Sequence, residues 1–360
     1  MESRAVTPLL FVCPLRGNGS MPKAFVRRAD FLYSRGTFAC ESPPRMSPIL
    51  LNVLPVFILI LIGWLIVRTG LLKDGIGDAL GDFVFKIAVP VLLFRTIAEA
   101  NFHGASPFRL WIAYFSGVAV TWAAGHFLAT MVFKRDSRIG VLAGVSSAFA
   151  SNVFIGLPLV GRSVGDDGVV ALSILLAVHL PVMMIVGTVL MENAERKEKG
   201  GEKRDIALLL RQVGINLVRN PLVIGLLLGV VFHVSSLPMP GVAKVVVDQI
   251  AGMAGPAALI SLGMALRKYG ISGNVGIAGT MSVLKLLLLP ASVWAASRLL
   301  GLSPEWTAAM VLTSSVPTGV NAWLIANRFG VGHSLAASTI TMTTALGVIS
   351  VSFWSLLLGQ

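Results

Sequence analysis

Charge is scarce in this sequence. Asp, Glu, Lys and Arg make up 13% of its 360 residues, about half the share of a soluble globular chain. The scarcity is uneven. From Met46 onward several uncharged apolar runs reach roughly the 20 residues that cross a hydrocarbon core. That excludes an ordinary soluble domain and marks a polytopic, all-α membrane protein.

Cysteine is nearly absent too. Cys13 and Cys40 both fall in the first 45 residues, and nothing in their setting supports a disulfide. That segment is polar, proline-rich and basic, and it lacks an apolar run long enough for the core of a signal peptide. The membrane part begins cleanly at "MSPILLNVLPVF". Residues 1–45 are therefore expected to be a disordered or over-called extension ahead of a start at Met46.

Other absences narrow the function. No Ser/His/Asp set accompanies a nucleophile turn, and no His, Cys, Asp or Glu spacing suits a metal. The glycines of "GRSVGDDG" are not followed by the Lys-Ser/Thr of a phosphate cradle. An enzyme, a catalytic residue and a bound metal are thus not expected. The net charge of +12 fits basic cytoplasmic loops rather than nucleic acid, since no helix-turn-helix, zinc-finger or RNA-recognition pattern is present.

Ten spans can be read after Met46: Pro48–Val67, Gly77–Ala98, Leu110–Phe133, Ile139–Gly161, Gly168–Met191, Pro221–Leu237, Val245–Leu266, Val275–Ala296, Trp306–Ala326 and Ser334–Leu358. The charged stretch "NAERKEKGGEKRD" and the amphipathic "IALLLRQVGINLVR" separate the fifth from the sixth. Fifteen Lys and Arg near the spans fall on one side and five on the other. The first side is read as cytoplasmic, which puts the central loop inside and the C-terminus outside a plasma (inner) membrane.

Sliding the chain by 166 residues superposes Pro55 on Pro221, Gly63 on Gly229, Gly75 on Gly241, Asp82 on Asp248 and Pro90 on Pro256. The chain thus reads as residues 46–191, a first five-helix repeat, a cytoplasmic linker over 192–220, and a second repeat over 221–360. Five is odd, so the second repeat is inverted relative to the first, as in many secondary transporters.

Spans four and nine carry helix breakers inside apolar runs: "SNVFIGLP" in one and "SSVPTGVNAWLIA" in the other. At an offset of 163, Gly156-Leu157-Pro158 falls on Gly319-Val320-Asn321. An interrupted helix exposes backbone polar groups, which lipid does not tolerate unless protein or a watered cavity answers them. Matched interruptions point to a binding site between the repeats. Proline and glycine as mere kinks of membrane helices are the plainer alternative.

From Met46 to the end the chain resembles the auxin efflux carrier family of membrane transporters. The resemblance lies in "LPVFILILIGWLIVRTGLL", "ALGDFVFKIAVPVLLF", "SNVFIGLPLVG", "GPAALISLGMAL", "SSVPTGVNAWLIANRFG" and "ASTITMTTALGV". It implies a fold similar to that of sodium–bile-acid symporters, with spans four and nine crossing as broken helices. It also implies a scaffold from spans 1, 2, 6 and 7 and a mobile transport domain from spans 3–5 and 8–10. The family moves organic anions, auxin in plants and small dicarboxylates such as malate or malonate in some bacteria. Plant members have a crossover proline in span nine where this chain has Asn321.

The residues themselves favour an anion. Half-helix N-termini at the breaks carry positive partial charge and unpaired N–H groups, and Asn152 and Asn321 stand beside them. No Asp or Glu lies within spans 3–5 or 8–10, whereas a cation exchanger wants a buried carboxylate. The expected substrate site comprises Asn152, Gly156, Pro158, Pro317, Thr318, Gly319, Asn321 and Lys285.

Lys285 stands near the middle of span eight, where an ammonium costs about 2.5–3.5 kcal/mol on insertion scales. Three readings stay open for it: neutralising broken-helix ends, contacting a substrate carboxylate or titrating, and snorkelling. His126 and His179 are candidates for proton coupling, against the plainer reading of packed membrane histidines. Thr313, Ser314, Ser315 and Thr318 could ligate Na⁺, so coupling to Na⁺ or H⁺ is open and no cofactor is expected. The partners are a small organic anion and the bilayer, with a homodimer left open. The leading function is a secondary carrier of organic anions working by alternating access. The alternatives are a cation or proton antiporter and a ligand sensor that does not transport.

Overall fold

The computed structural model describes residues 48–73, 75–100, 106–199, 215, 218–235, 237–271, 273 and 275–359. The N-terminal extension 1–45, with both cysteines, lies outside them, as do most of the amphipathic segment 206–219 and Gln360. The described residues are helical throughout apart from short connections, with no strand among them beyond one isolated bridge.

The helices in chain order are α1 (Pro48–Arg68), α2 (Ile76–Phe83), α3 (Val89–Ala98), α4 (Pro107–Phe127), α5 (Ser137–Ala148), α6 (Leu157–Ser163), α7 (Asp166–Lys199), α8 (Pro221–Ser235), α9 (Gly241–Leu266), α10 (Val275–Val283), α11 (Leu289–Leu299), α12 (Pro304–Ser315), α13 (Asn321–Phe329) and α14 (His333–Leu358). Among the described residues six helices are long and apolar enough to cross a membrane: Leu51–Arg68, Pro107–Val132, Asp166–Lys197, Gly241–Leu266, Val275–Leu299 and His333–Leu358. The other four expected spans are helical as well. One is short (α8), and three are divided (α2 with α3, α5 with α6, α12 with α13). Helix α7 runs through Lys199, beyond the expected end of span five at Met191, because "ENAERKEK" consists largely of strong helix formers with Glu and Lys or Arg at i, i+4.

Proline explains three of the interruptions. A five-residue π-helical turn ends two residues before Pro90, Pro158 and Pro290 in turn: Val84–Ala88, Asn152–Gly156 and Leu284–Leu288. Proline lacks the N–H that would bond four residues back, and its ring crowds that carbonyl. The residue just before each proline reaches five back instead, Val89 to Val84, Leu157 to Asn152 and Leu289 to Leu284, which widens the turn. A fourth π turn, Leu128–Val132, extends α4 with no proline behind it.

Packing follows the logic of a membrane interior, where small residues let helices approach. A Cβ on Gly63 would lie 2.2 Å from the Ile260 carbonyl oxygen, and one on Gly263 would lie 2.0 Å from that of Ile60. Helices α1 and α9 therefore touch backbone to backbone. Helices α8 and α3 do the same at Gly225, where a Cβ would meet the Pro90 oxygen at 2.3 Å. Large apolar side chains such as Leu61, Val231 and Ile349 face outward, while Thr121, Ser147, Thr313, Ser338 and Thr343 are buried. Many of the buried hydroxyls donate to helix carbonyls, for example Thr343 to Thr339 at 2.7 Å, whereas Thr121 has no hydrogen-bond partner.

Candidate functional site

Helix α5 stops where Phe149 turns extended, and α12 stops where Val316 does. The freed backbone at the two breaks pairs with itself. Ala150 bridges Thr318 in antiparallel fashion. The Ser151 N–H donates to the Pro317 carbonyl at 3.0 Å, and the Gly319 N–H donates to the Phe149 carbonyl at 2.8 Å. These two bonds are reciprocal: Ser151 and Gly319 stand 168 residues apart, as do Phe149 and Pro317. The register thus differs from the sequence offset of 163, and Gly156 and Pro158 are not the counterparts of Gly319 and Asn321. A proline, Pro317, does stand at the crossing. Gly319 lets the two broken segments approach each other, since a Cβ there would come within 3.2 Å of the Ala150 oxygen.

A cavity of about 390 Å³ lies against the crossing. Ala150, Ser151 and Asn152 line it from one break, and Gly319, Val320 and Asn321 from the other. Phe85, Phe154, Leu176 and Leu180 supply apolar wall, and the exposed Asp78 and Asp82 mark its mouth beside Tyr269. Both carboxylates are already paired, Asp78 with Lys268 and Asp82 with Lys86 at 2.7 Å. Burial, with Asp78 nearby, pushes the Tyr269 phenol up, so its hydroxyl keeps its proton and stays a donor.

The second half of each broken helix starts at this cavity. The helix rule leaves the first N–H groups of such a half without an intrahelical acceptor, and the positive end of its dipole favours an anion. The polar side chains around the cavity differ in what they do. Asn152 is buried and engaged: its Nδ2 donates to Tyr114 Oη at 3.2 Å, and its Oδ1 accepts from Thr313 Oγ1 at 3.0 Å. Ser151 Oγ and His179 Nε2 are buried and have no hydrogen-bond partner, and both residues line the cavity. The His179 ring is held edge-on by Tyr114 and Phe149, with centroids at 5.5 and 5.2 Å, and stacked by Phe115 at 6.3 Å. A buried polar atom without a partner costs about 1–3 kcal/mol, so these two mark places where a ligand atom or water belongs.

Of the expected site residues, Asn152, Gly319, Asn321 and His179 line the cavity. The others sit around it. At Gly156 an added Cβ would stand 2.5 Å from Thr313 Oγ1, so this is where the two broken helices touch. Pro158 packs beside Gly255, and Pro317 beside Gly347. Thr318 is tied on both sides, its N–H donating to Thr343 Oγ1 at 3.0 Å and its hydroxyl to the Ser146 carbonyl at 2.8 Å. Lys285 is fully buried behind the crossing and reaches neither water nor a carboxylate; it donates to the carbonyls of Ser314 and Val316, each at 2.6 Å. His126 lies apart, in a second, apolar cavity of about 530 Å³ with Phe115 and Trp122.

Sequence reasoning missed Ser151, although it stands one residue ahead of the singled-out Asn152. It also missed Tyr114, whose hydroxyl holds that amide. Serine is common in membrane helices, and the missing partner of its hydroxyl is visible only in three dimensions.

The chain matches the family described as membrane transport protein over residues 48–355. A putative malonate transporter of Rhizobium meliloti (strain 1021) is 26% identical over 312 residues, which cover 83% of this chain and 92% of the relative. An uncharacterized transporter of Methanothermobacter thermautotrophicus is 26% identical over 321 residues, covering 85% and 97%. The lysosomal cholesterol signaling protein of Mus musculus is 25% identical over 274 residues, 71% of this chain and 31% of that protein.

Proposed function

The chain belongs to the auxin efflux carrier family of membrane transport proteins, and from that premise we propose that it is a secondary transporter of small organic anions whose binding site is the cavity at the crossing. The observation that carries this reading is the set of donors around one cavity. Two half-helix N-termini, the Ser151 hydroxyl, the His179 imidazole and the Asn321 amide surround it, and no unpaired carboxylate lines it among the described residues. Such a set suits a carboxylate, which accepts several hydrogen bonds at once. The relative named a putative malonate transporter makes small dicarboxylates the first substrates to test.

The ten-span inverted repeat belongs to this proposal. It is supported by the reciprocal bonds across the crossing and by the paired close approaches of α1 with α9 and α8 with α3. Spans 1, 2, 6 and 7 would form the scaffold, and spans 3–5 and 8–10 the moving part. Asp78, Tyr269 and Lys268 at the cavity mouth lie on the side that the charge count assigns to the cytoplasm, so this is an inward-open arrangement in which the site would next turn outward.

The test is counterflow. Purified protein in liposomes preloaded with unlabelled malonate should accumulate labelled malonate, and related mono- and dicarboxylates should compete. Exchange of Na⁺ or protons with no anion requirement would favour the antiporter instead. Saturable anion binding without flux would favour a sensor.

A further inference from the structure

Lys285 lies outside the cavity lining and has no exposed surface. It stands on the π-helical turn Leu284–Leu288. Its Nζ donates to Ser314 and Val316, whose carbonyls belong to the end of α12, where the helix stops. A helix that stops inside the membrane leaves carbonyls unanswered and a negative dipole end. At the end of α12 and just past it, Lys285 answers Ser314 and Val316 and the Ser151 N–H answers Pro317, while the Ser350 hydroxyl, which donates to Leu286 at 2.8 Å, stands 3.4 Å from the Ser315 carbonyl.

The first broken helix is finished differently. Its Ser146 carbonyl takes the neutral Thr318 hydroxyl, and its Phe149 carbonyl takes the Gly319 N–H. At the 168-residue offset of the crossing, Gly117 falls where Lys285 stands. One half of the molecule has a lysine behind its break, whereas Gly117, which packs against Val293, offers no side chain in the other. The crossing therefore does not require a cation for its backbone geometry.

In carriers built on broken helices, half-helix C-terminal ends and unwound carbonyls are where a coupling cation binds. Here two such carbonyls are already held by an ammonium group. We propose that the Lys285 ammonium takes the place of a coupling Na⁺, so that the chain binds and moves its anion without Na⁺; this rests on the anion-carrier reading above. Lys285 is a positioning residue. It fixes the end of α12 behind the anion donors.

Two measurements test this. The first uses the protein alone. The melting temperature of wild type in detergent should be equal in sodium and choline salts at equal ionic strength. Lys285→Gln should melt lower and be stabilised selectively by Na⁺, as a ligand of the folded state must be. The second is anion counterflow with Na⁺ replaced by choline. Wild type should keep its rate, and Lys285→Gln should lose about tenfold or more in anion affinity without Na⁺ and regain part of it when Na⁺ is added. Selective stabilisation of wild type by Na⁺, or counterflow that stops without it, overturns the proposal. If no anion is carried in any salt, the carrier reading fails, and the melting comparison still decides whether a Na⁺ site exists. If Lys285→Gln yields no folded protein, the wild-type comparisons decide alone.

Discussion

Asn152 accepts a hydrogen bond from Thr313 at 3.0 Å and donates one to Tyr114 at 3.2 Å. One buried amide thus ties α4 and the two broken helices together beside the cavity. Thr313→Val leaves the Asn152 oxygen without its donor and should cost about 1–3 kcal/mol of stability. Asn152→Ala should cost a similar amount, and the double variant less than the sum, because both remove the same bond. Melting temperatures of the four proteins in detergent check this; strict additivity would contradict the link.

Ser151, His179 and Asn321 should behave in the opposite way. Ser151 Oγ and His179 Nε2 have no hydrogen-bond partner in the protein, so Ser151→Ala and Asn321→Ala should leave melting nearly unchanged, and His179→Gln should lose only the ring contacts with Tyr114, Phe115 and Phe149. If each donates to a bound carboxylate, its loss removes about 1.5–3 kcal/mol, a fall in anion affinity of roughly 10- to 150-fold. Equilibrium binding of labelled malonate beside melting curves separates the two effects. Unchanged affinity in all three variants would place the substrate elsewhere.

Gly263 should tolerate no side chain. The 2.0 Å approach to the Ile60 oxygen means that Gly263→Ala must push α1 and α9 apart, and overpacking of this kind costs about 1–3 kcal/mol or more. Size-exclusion yield and melting temperature are the readouts. Gly252, with open space where its Cβ would go, is the control: Gly252→Ala should leave both unchanged.

Orientation can be tested on cells. In a variant lacking Cys13 and Cys40, a cysteine placed at Lys199 should be shielded from an impermeant thiol reagent, and one at Gly359 should react. The reverse pattern would overturn the charge-based reading that puts the central loop inside.

The breaks were legible because proline and glycine inside an apolar run have few other uses in a membrane. Their register was not. The offset of 168 is fixed by main-chain bonds between Ser151 and Pro317 and between Gly319 and Phe149, and such bonds leave no mark on side-chain identity. Gly156 and Pro158 were therefore drawn into the expected site by an alignment of breakers, when they stand one turn behind it. Lys285 was legible as an anomaly, but its partners are carbonyls, which every residue has. His179 was legible only as a histidine in a span. Its aromatic cage comes from three positions on two elements, Tyr114 and Phe115 on α4 and Phe149 at the end of α5, brought together by folding. The three proline-associated π turns could have been suspected from Pro90, Pro158 and Pro290, because a missing N–H forces the preceding residue to bond further back.

A structure of the protein bound to malonate tests the central claim most directly. The account predicts ligand density in the cavity against the crossing, with one carboxylate within hydrogen-bond reach of Ser151 Oγ, His179 Nε2 and the Asn321 amide, and Lys285 still on the Ser314 and Val316 carbonyls. Malonate bound elsewhere, with the crossing cavity empty, would contradict it.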